Sequence, residues 1–454
     1  MNERSERMNK HSDSLMRPRA VRRGGDMSVV IVHRNPLEPF PYDRWLRDHE
    51  GPVVVLAARD RFEPFGERIP EGNLGYTHLE LFDHDDEVPG RVARLVAEYG
   101  ATHLIGEHEA DVLRVAALRE ELGLPGARAA DVLPFRDKAL MKEHAARAGV
   151  EVAPHTVPRT AADVLAFAGV HGFPLVVKNR AGFNSIGLRI LRDSDALTAF
   201  LSEAYGSKPD EQRDEQRDDL LLEAYVPGRM CHVDGLVVDG EVVLAWPSQY
   251  QYELASFGTD PGSRVDLALD PGDPLTGRLL ELTGRTLAAL RLPGGRLRDH
   301  AFHAEIFHTP DDRLVLCEIA CRSGGGKIRE VFHTLFGVNL AECSIRAQLG
   351  LPLPDVARAV RPGRRPEPAR MAGQVLMMKR PGLIHALPGV PEEPWVEHFW
   401  LYAETGQVVP PASGSADFLT VAIASAPTRA ECERRLRSLG ARLEEQVRIG
   451  AVPS

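Results

Sequence analysis

FHAEIFHTPDDRLVLCEIACRSGGG, residues 302–326, is the stretch on which the reading of this chain turns. Two apolar runs flank the turn-forming set Thr309-Pro310-Asp311-Asp312, so the spacing predicts two neighbouring strands. Each run carries one carboxylate, Glu305 in HAEIF and Glu318 in VLCEIA. A charge left unpaired inside an apolar strand is costly to bury. Two carboxylates facing each other across a hairpin repel unless a hard divalent cation lies between them. Arg322 and Gly324-Gly325-Gly326 follow directly, offering a fixed guanidinium and open backbone N–H groups where an oxyanion could form.

Upstream, three further elements point the same way. Lys138 starts a helix after Phe135-Arg136-Asp137; alone, such a lysine reads as a solvated residue. Lys178 ends the buried strand FPLVVKN (173–179), so its ammonium either snorkels to water or meets an anion. The turn AGFNSIG (181–187) comes next, with LRIL (188–191) as the returning strand. Its Gly182, Asn184, Ser185 and Gly187 belong to a hairpin loop whose N–H groups can turn toward phosphate oxygens. In LLEAYVPG (221–228), an apolar strand reaches Glu223 and continues through Ala224, Tyr225 and Val226, where backbone groups could meet a purine edge; Glu223 alone reads equally well as an exposed strand residue. His232 lies just beyond.

From Met27 the pattern alternates strand and helix. VVIVH (29–33), VVVLA (53–57) and THLIG (102–106) are strands, and Ala110–Leu122 is a helix, which gives a parallel α/β unit over 27–128. A second unit spans 129–350 in two parts, 129–219 and 220–350, and includes a hairpin at VVDGEVV and a helix over Leu275–Leu290. Residues 351–370, rich in proline, read as a linker, and 371–454 form a C-terminal unit ending in a helix near Arg429–Leu439. The repeat KPDEQRDEQRDD (208–219) has nothing apolar to bury and reads as a solvated insertion rather than a lid, and residues 1–26 read as a disordered basic tail. SQYQYELASFGTDPGSR (248–264) reads as a loop, from which Tyr252 and Arg264 could face a substrate.

A formal net charge of −10 argues against a nucleic-acid binder. No apolar run approaches membrane-spanning length, and no secretory signal is legible. Five cysteines without metal or disulfide spacing imply reduced thiols and a cytoplasmic protein, with a homodimer as the commonest default assembly.

In this order, the four elements resemble the ATP-grasp superfamily, in particular its carboxylate–amine ligases that join amino acids. The resemblance implies an α/β and α+β chain: an ATP-grasp fold preceded by a parallel α/β domain and followed by a small C-terminal α+β domain. It further implies ATP and magnesium (or manganese) as cofactors, small carboxylate and amine substrates, and an acyl-phosphate intermediate. Lys138 and Lys178 match the phosphate-contacting lysines, Gly182–Gly187 the closing flap, and Glu223–Val226 the adenine hinge. Glu305 and Glu318 match the metal-holding carboxylates, and Arg322 the arginine that steadies the transferred group, with Gly325 beside it. The chain departs from the family at Ala320, where many members carry an Asn metal ligand. It departs again at Met230, where many carry a ribose-binding Glu; His232 or Asp234 is the candidate replacement. Carboxylation or another carbon–nitrogen ligation, and ATP binding without turnover, remain the alternative functions.

Overall fold

A computed structural model of the chain describes residues 27–61, 77–206, 218–253, 256, 260, 262–361 and 364–451. The basic tail 1–26 and the polar repeat as far as residue 217 lie outside the described residues.

Four parallel strands, β1 (Val29–His33), β2 (Val53–Ala58), β3 (His78–Phe82) and β4 (His103–Gly106), lie in the order β3-β2-β1-β4. β1 and β2 are buried along their whole length because alternate residues feed two cores. Val30, Val32, Val54 and Leu56 pack beneath the helix Val88–Tyr99. Val29, Ile31, Val53 and Val55 meet Ile345 and Leu349, at the end of the helix Leu340–Gln348. A strand covered on both faces needs that continuous apolar run. β3 (HLELF) escapes the sequence reading because its residues are mostly half-buried and lack such a run.

A smaller antiparallel sheet follows, built from β5 (His155–Thr156), β6 (Leu175–Asn179), β7 (Arg189–Leu191) and β8 (Leu220–Ala224), in the order β5-β8-β6-β7. The helices Ala161–His171 and Ser194–Tyr205 set Val164, Leu197 and Phe200 against Leu175, Val177 and Leu222. Each such side chain contributes about 1.5–3 kcal/mol by leaving water. Thr160 and Asp193 cap the two helices by accepting from the N–H groups of Asp163 and Ala196. β6 and β7 flank the glycine-containing turn as the spacing implies.

The remaining strands are β9 (Arg229–Val238), β10 (Glu241–Tyr250), β11 (Arg264–Ala268), β12 (His300–His308), β13 (Leu314–Ala320), β14 (Met371–Met378), β15 (Gly382–Ala386), β16 (Val396–Leu401), β17 (Val408–Val409), β18 (Phe418–Ala426) and β19 (Arg448–Gly450). Eight of them form one antiparallel sheet in the order β13-β12-β9-β10-β11-β14-β18-β16, and β15, β17 and β19 form a small one. Asp239 and Gly240, at φ 55 and 81°, make the tight turn that the Asp-Gly pair signals between β9 and β10.

The large sheet crosses the boundary expected at 351–370. β14 pairs directly with β11 and β18 with β14, so the hydrogen-bonded ladder runs unbroken into the C-terminal segment. Every residue of Met371–Met378 is buried, as a central strand covered on both faces requires. Inside the expected linker, Pro354–Ala359 forms a short helix with proline in its first turn and Val356 buried. The last helix runs over Arg429–Gln446, beyond the expected Leu439, because Leu443 continues the buried stripe of Leu436 and Leu439. No described helix is long and apolar enough to cross a membrane.

Candidate active site

Glu305 of β12 and Glu318 of β13 are direct cross-strand partners, so both side chains leave the same face of the sheet. His303 shares that face, as do His232 and Asp234 of β9, which stand opposite Glu305 and His303 respectively. Between this face and the smaller sheet lies a cavity of about 140 Å³, lined by residues that include Lys138, Lys178, Glu223, Tyr225, Glu305 and Glu318.

The lysines reach it from two elements. Asp137 caps the helix Lys138–Arg147, accepting from the N–H groups of Ala139 at 3.0 Å and Leu140 at 3.3 Å, which fixes Lys138 in the first turn. Lys138 Nζ donates to the Gly182 carbonyl at 2.6 Å and lies 3.3 Å from Glu318 Oε2. Lys178 Nζ sits 2.8 Å from Glu223 Oε2, while Lys142 Nζ sits 2.9 Å from Glu223 Oε1. Burial opposes the Lys178 ammonium, yet Cys317, Glu223 and Glu318 outweigh it and raise its pKa. Burial likewise opposes the Glu223 carboxylate, but Lys142 and Lys178 hold its pKa down to about 2. Glu318 is held to about 2 against its own burial by Lys138, Lys178 and His303. Lys178, Glu223 and Glu318 are therefore charged at neutral pH, an arrangement suited to binding a polyanion together with a cation.

The other expected residues are not all brought to the cavity. Gly182, Ser185, Ala224, Tyr225, Val226 and Tyr252 line it, whereas Asn184, Gly187, His232, Arg322 and Gly325 do not. Asn184 and Ser185 adopt φ 57 and 55°, and Asn184 accepts from the Ser415 hydroxyl at 3.0 Å, which turns the flap toward the C-terminal segment. His232 cannot replace a ribose ligand as expected. It is 1% exposed, and its ring nitrogens bond Asp234 at 2.6 Å and Asp266 at 3.0 Å. Asp234 is equally spent on His232 and His303. Arg264 does not face the cavity either: it starts β11, is 1% exposed, and stacks its guanidinium over the Tyr252 ring at 5.0 Å. Gly325 borders open space, while Gly324 packs so close that an added Cβ would lie 2.7 Å from Asp234 Oδ1.

Arg322 is tied to Glu109, and the same carboxylate takes Arg136. Burial works against Glu109, but Arg322 and Arg136 hold its pKa low. Glu109 follows β4, at the carboxyl end of a parallel strand, where open α/β sheets place their ligand-facing groups. The sequence reading misses it, although the polar stretch GEHEAD (106–111) after an apolar strand carries that signal. It also misses Lys142, whose signal was its position one helical turn after Lys138.

Behind Glu305, Asp266, His232, Asp234 and His303 form a buried chain that also takes Gln374 at 2.9 Å. Burial opposes the imidazolium forms, but the carboxylates raise His232 to about 10 and His303 to about 9. His232, Asp234 and His303 lie close enough to hold a metal ion. Both Asp234 oxygens already accept from the rings, so hydrogen bonds account for the cluster without one.

Residues 137–236 match the family model described as "Carbamoyl-phosphate synthase L chain, ATP binding domain". The chain superposes on an L-amino acid ligase from Bacillus licheniformis with a TM-score of 0.72 at 17% identity, covering 94% of this chain and 99% of that one. This chain has the ATP-grasp fold. A second structure, the biotin carboxylase domain of a Hydrogenobacter thermophilus 2-oxoglutarate carboxylase in complex with MgADP, ADP and bicarbonate, aligns with a TM-score of 0.65 at 17% identity, over 93% and 90% of the two chains. Among sequences, an L-arginine-specific L-amino acid ligase from Bacillus subtilis is 26% identical over 244 residues, 54% of this chain and 56% of that enzyme. The chain thus spans little more than half the length of that relative. The mixed architecture, a parallel sheet followed by a large antiparallel one, is the ATP-grasp fold anticipated from the sequence.

Proposed function

We propose that this protein of ATP-grasp fold is an ATP-dependent ligase that converts a carboxylate into an acyl phosphate and passes it to an amine. The observation that carries the reading is the pair of glutamates on facing strands, opening on a cavity walled by three buried lysines, Lys138, Lys142 and Lys178. A carboxylate oxygen attacks the γ-phosphorus of ATP, the bond to ADP breaks, and an acyl phosphate forms. The amine nitrogen then attacks the carbonyl carbon, phosphate leaves, and the nitrogen loses its proton.

Lys138 and Lys178 neutralise phosphate oxygens, and phosphoryl transfer needs little beyond positioning and charge neutralisation. Glu223 holds Lys178 in place, and Glu223–Val226 border the adenine. The flap Gly182–Gly187 excludes water that would hydrolyse the acyl phosphate. Glu109 fixes Arg322 beside Gly325, where the guanidinium steadies the transferred group.

A magnesium ion fits this donor set. Two like-charged carboxylates face each other, and a lysine lies within ion-pair distance of Glu318, whereas Glu305 has His303 Nε2 at 3.6 Å. Glu305 and Glu318 would hold it, and when bound it supplies neutralisation of phosphate charge. Ala320 stands opposite His303 in the ladder, so an imidazole occupies the neighbourhood that an asparagine fills in many members.

The names of the relatives support amino acids as substrates. Phosphate release with ATP, magnesium and pooled amino acids, followed by mass spectrometry of the products, tests the reading. Amino-acid-dependent phosphate with a new amide is expected; ATP binding without any such release across the pool would overturn it.

A further inference from the structure

A second cavity lies away from the candidate active site, between the helix Ala129–Arg136, the helix Pro274–Leu290 and the ends of β9 and β12. It measures about 270 Å³, and its walls include Asp131, Phe135, Val237, Leu287, Arg291 and His300. His300 opens the strand that carries Glu305 but points to the opposite face, because residues five apart on a strand alternate sides.

His300 is 5% exposed, and neither of its ring nitrogens has a hydrogen-bond partner among the described residues. Burial pushes its pKa down to about 3, so the ring is neutral near pH 7 and presents one donor and one acceptor. A buried polar ring with no partner is a liability that an apolar side chain would avoid. Its placement in a cavity wall is explained by a ligand that completes its bonding.

Of the three charged residues on its walls, Asp131, Glu241 and Arg291, two define that ligand. Asp131 Oδ2 accepts from the N–H groups of Arg128 at 2.8 Å and Arg296 at 3.1 Å, while its Oδ1 carries no hydrogen bond among the described residues. Arg291 uses Nη1 on the Gly240 carbonyl at 2.8 Å, which leaves the rest of its fork at the rim. Phe135, Val237 and Leu287 supply an apolar wall. The volume, about 270 Å³, is room for about nine water molecules and for an amino acid of leucine's size.

We infer that this cavity is a second binding site, for a small zwitterion with an apolar side chain. Its ammonium meets Asp131, its carboxylate meets Arg291 and His300, and its side chain packs on Phe135 and Leu287. The site is independent of the reaction proposed above.

The full-length Glu318→Ala variant, silenced for turnover, is titrated with L-leucine while hydrogen exchange is followed in residues 129–136 and 284–292. At a free concentration about ten times Kd, exchange through openings that empty the cavity slows about elevenfold. Adding Leu287→Trp, which fills the cavity, removes that protection. His300→Phe, close to it in size and free of ring nitrogens, weakens it and serves if the tryptophan variant fails to fold. No protection, or protection that survives Leu287→Trp and His300→Phe alike, overturns the site. Equal protection by isocaproate or isoamylamine, which lack one charge each, overturns the zwitterion.

Discussion

Glu223→Gln tests the electrostatic heart of the candidate site. In the native chain Glu223 is 5% exposed and faces Lys142 Nζ at 2.9 Å and Lys178 Nζ at 2.8 Å. These lysines hold its pKa at about 2, against an ordinary 4.5. With each tenfold in proton affinity worth about 1.4 kcal/mol, the ionised form contributes about 3 kcal/mol to the folded state. The figure agrees with the roughly 3–5 kcal/mol expected when one partner of a buried ion pair is removed and the other is left uncompensated. The folded pKa is the depressed one, so the stabilisation is fully present above pH 4.5 and is lost as pH falls toward 2. Native-state hydrogen exchange of β6 and β8 amides reads it locally. At neutral pH, Glu223→Gln is expected to make the relevant openings about 150-fold more frequent, the equivalent of about 3 kcal/mol. The gap between variant and wild type then closes on acidification below pH 4.5. A change under about fivefold at neutral pH, or a gap indifferent to acid, would refute the reasoning.

Four further outcomes are expected. Lys178→Ala and Glu318→Ala each lower amino-acid-dependent ADP release at least about 100-fold, measured by coupled assay on protein with an unchanged circular dichroism spectrum; wild-type turnover in both would remove them from the site. Glu109→Gln frees Arg322 and Arg136 from their shared carboxylate and lowers kcat/KM about 10- to 100-fold, equivalent to one charged hydrogen bond. His232→Leu strands Asp234 and Asp266 without their bridging ring and costs about 3–5 kcal/mol, visible as a lower urea midpoint. Gly324→Ala forces a methyl to 2.7 Å from Asp234 Oδ1 and 3.0 Å from His303 Nδ1, with a loss of about 1–3 kcal/mol; an unchanged thermal midpoint would show that the turn yields freely.

The facing pair Glu305 and Glu318 was legible because a hairpin fixes register, and a period of two then fixes the face. Lys178 and the loop after it were legible for the same reason, being read from one strand and its turn. The positions that escaped rest on contacts between distant segments. Lys142 meets the Cys317 carbonyl across 175 residues of sequence, and Arg322 meets Glu109 across 213. No local periodicity encodes either. His232 was misjudged because the sequence shows a polar residue near the hinge but not the Asp266 that claims its second nitrogen from another strand. The expected break at 351–370 failed because proline-rich composition marks where regular structure pauses, not where a sheet ends.

The unbroken ladder from β13 to β16 limits how this chain can be cut or recombined. Removing residues beyond 361 would bare the long side of β11, whose unpaired N–H and C=O groups would recruit other chains. A swap of C-terminal segments between relatives would have to match strand register on β11, where slippage by one residue turns every side chain over. Exchange is better attempted around the smaller four-stranded sheet, which shares no ladder with the rest of the molecule.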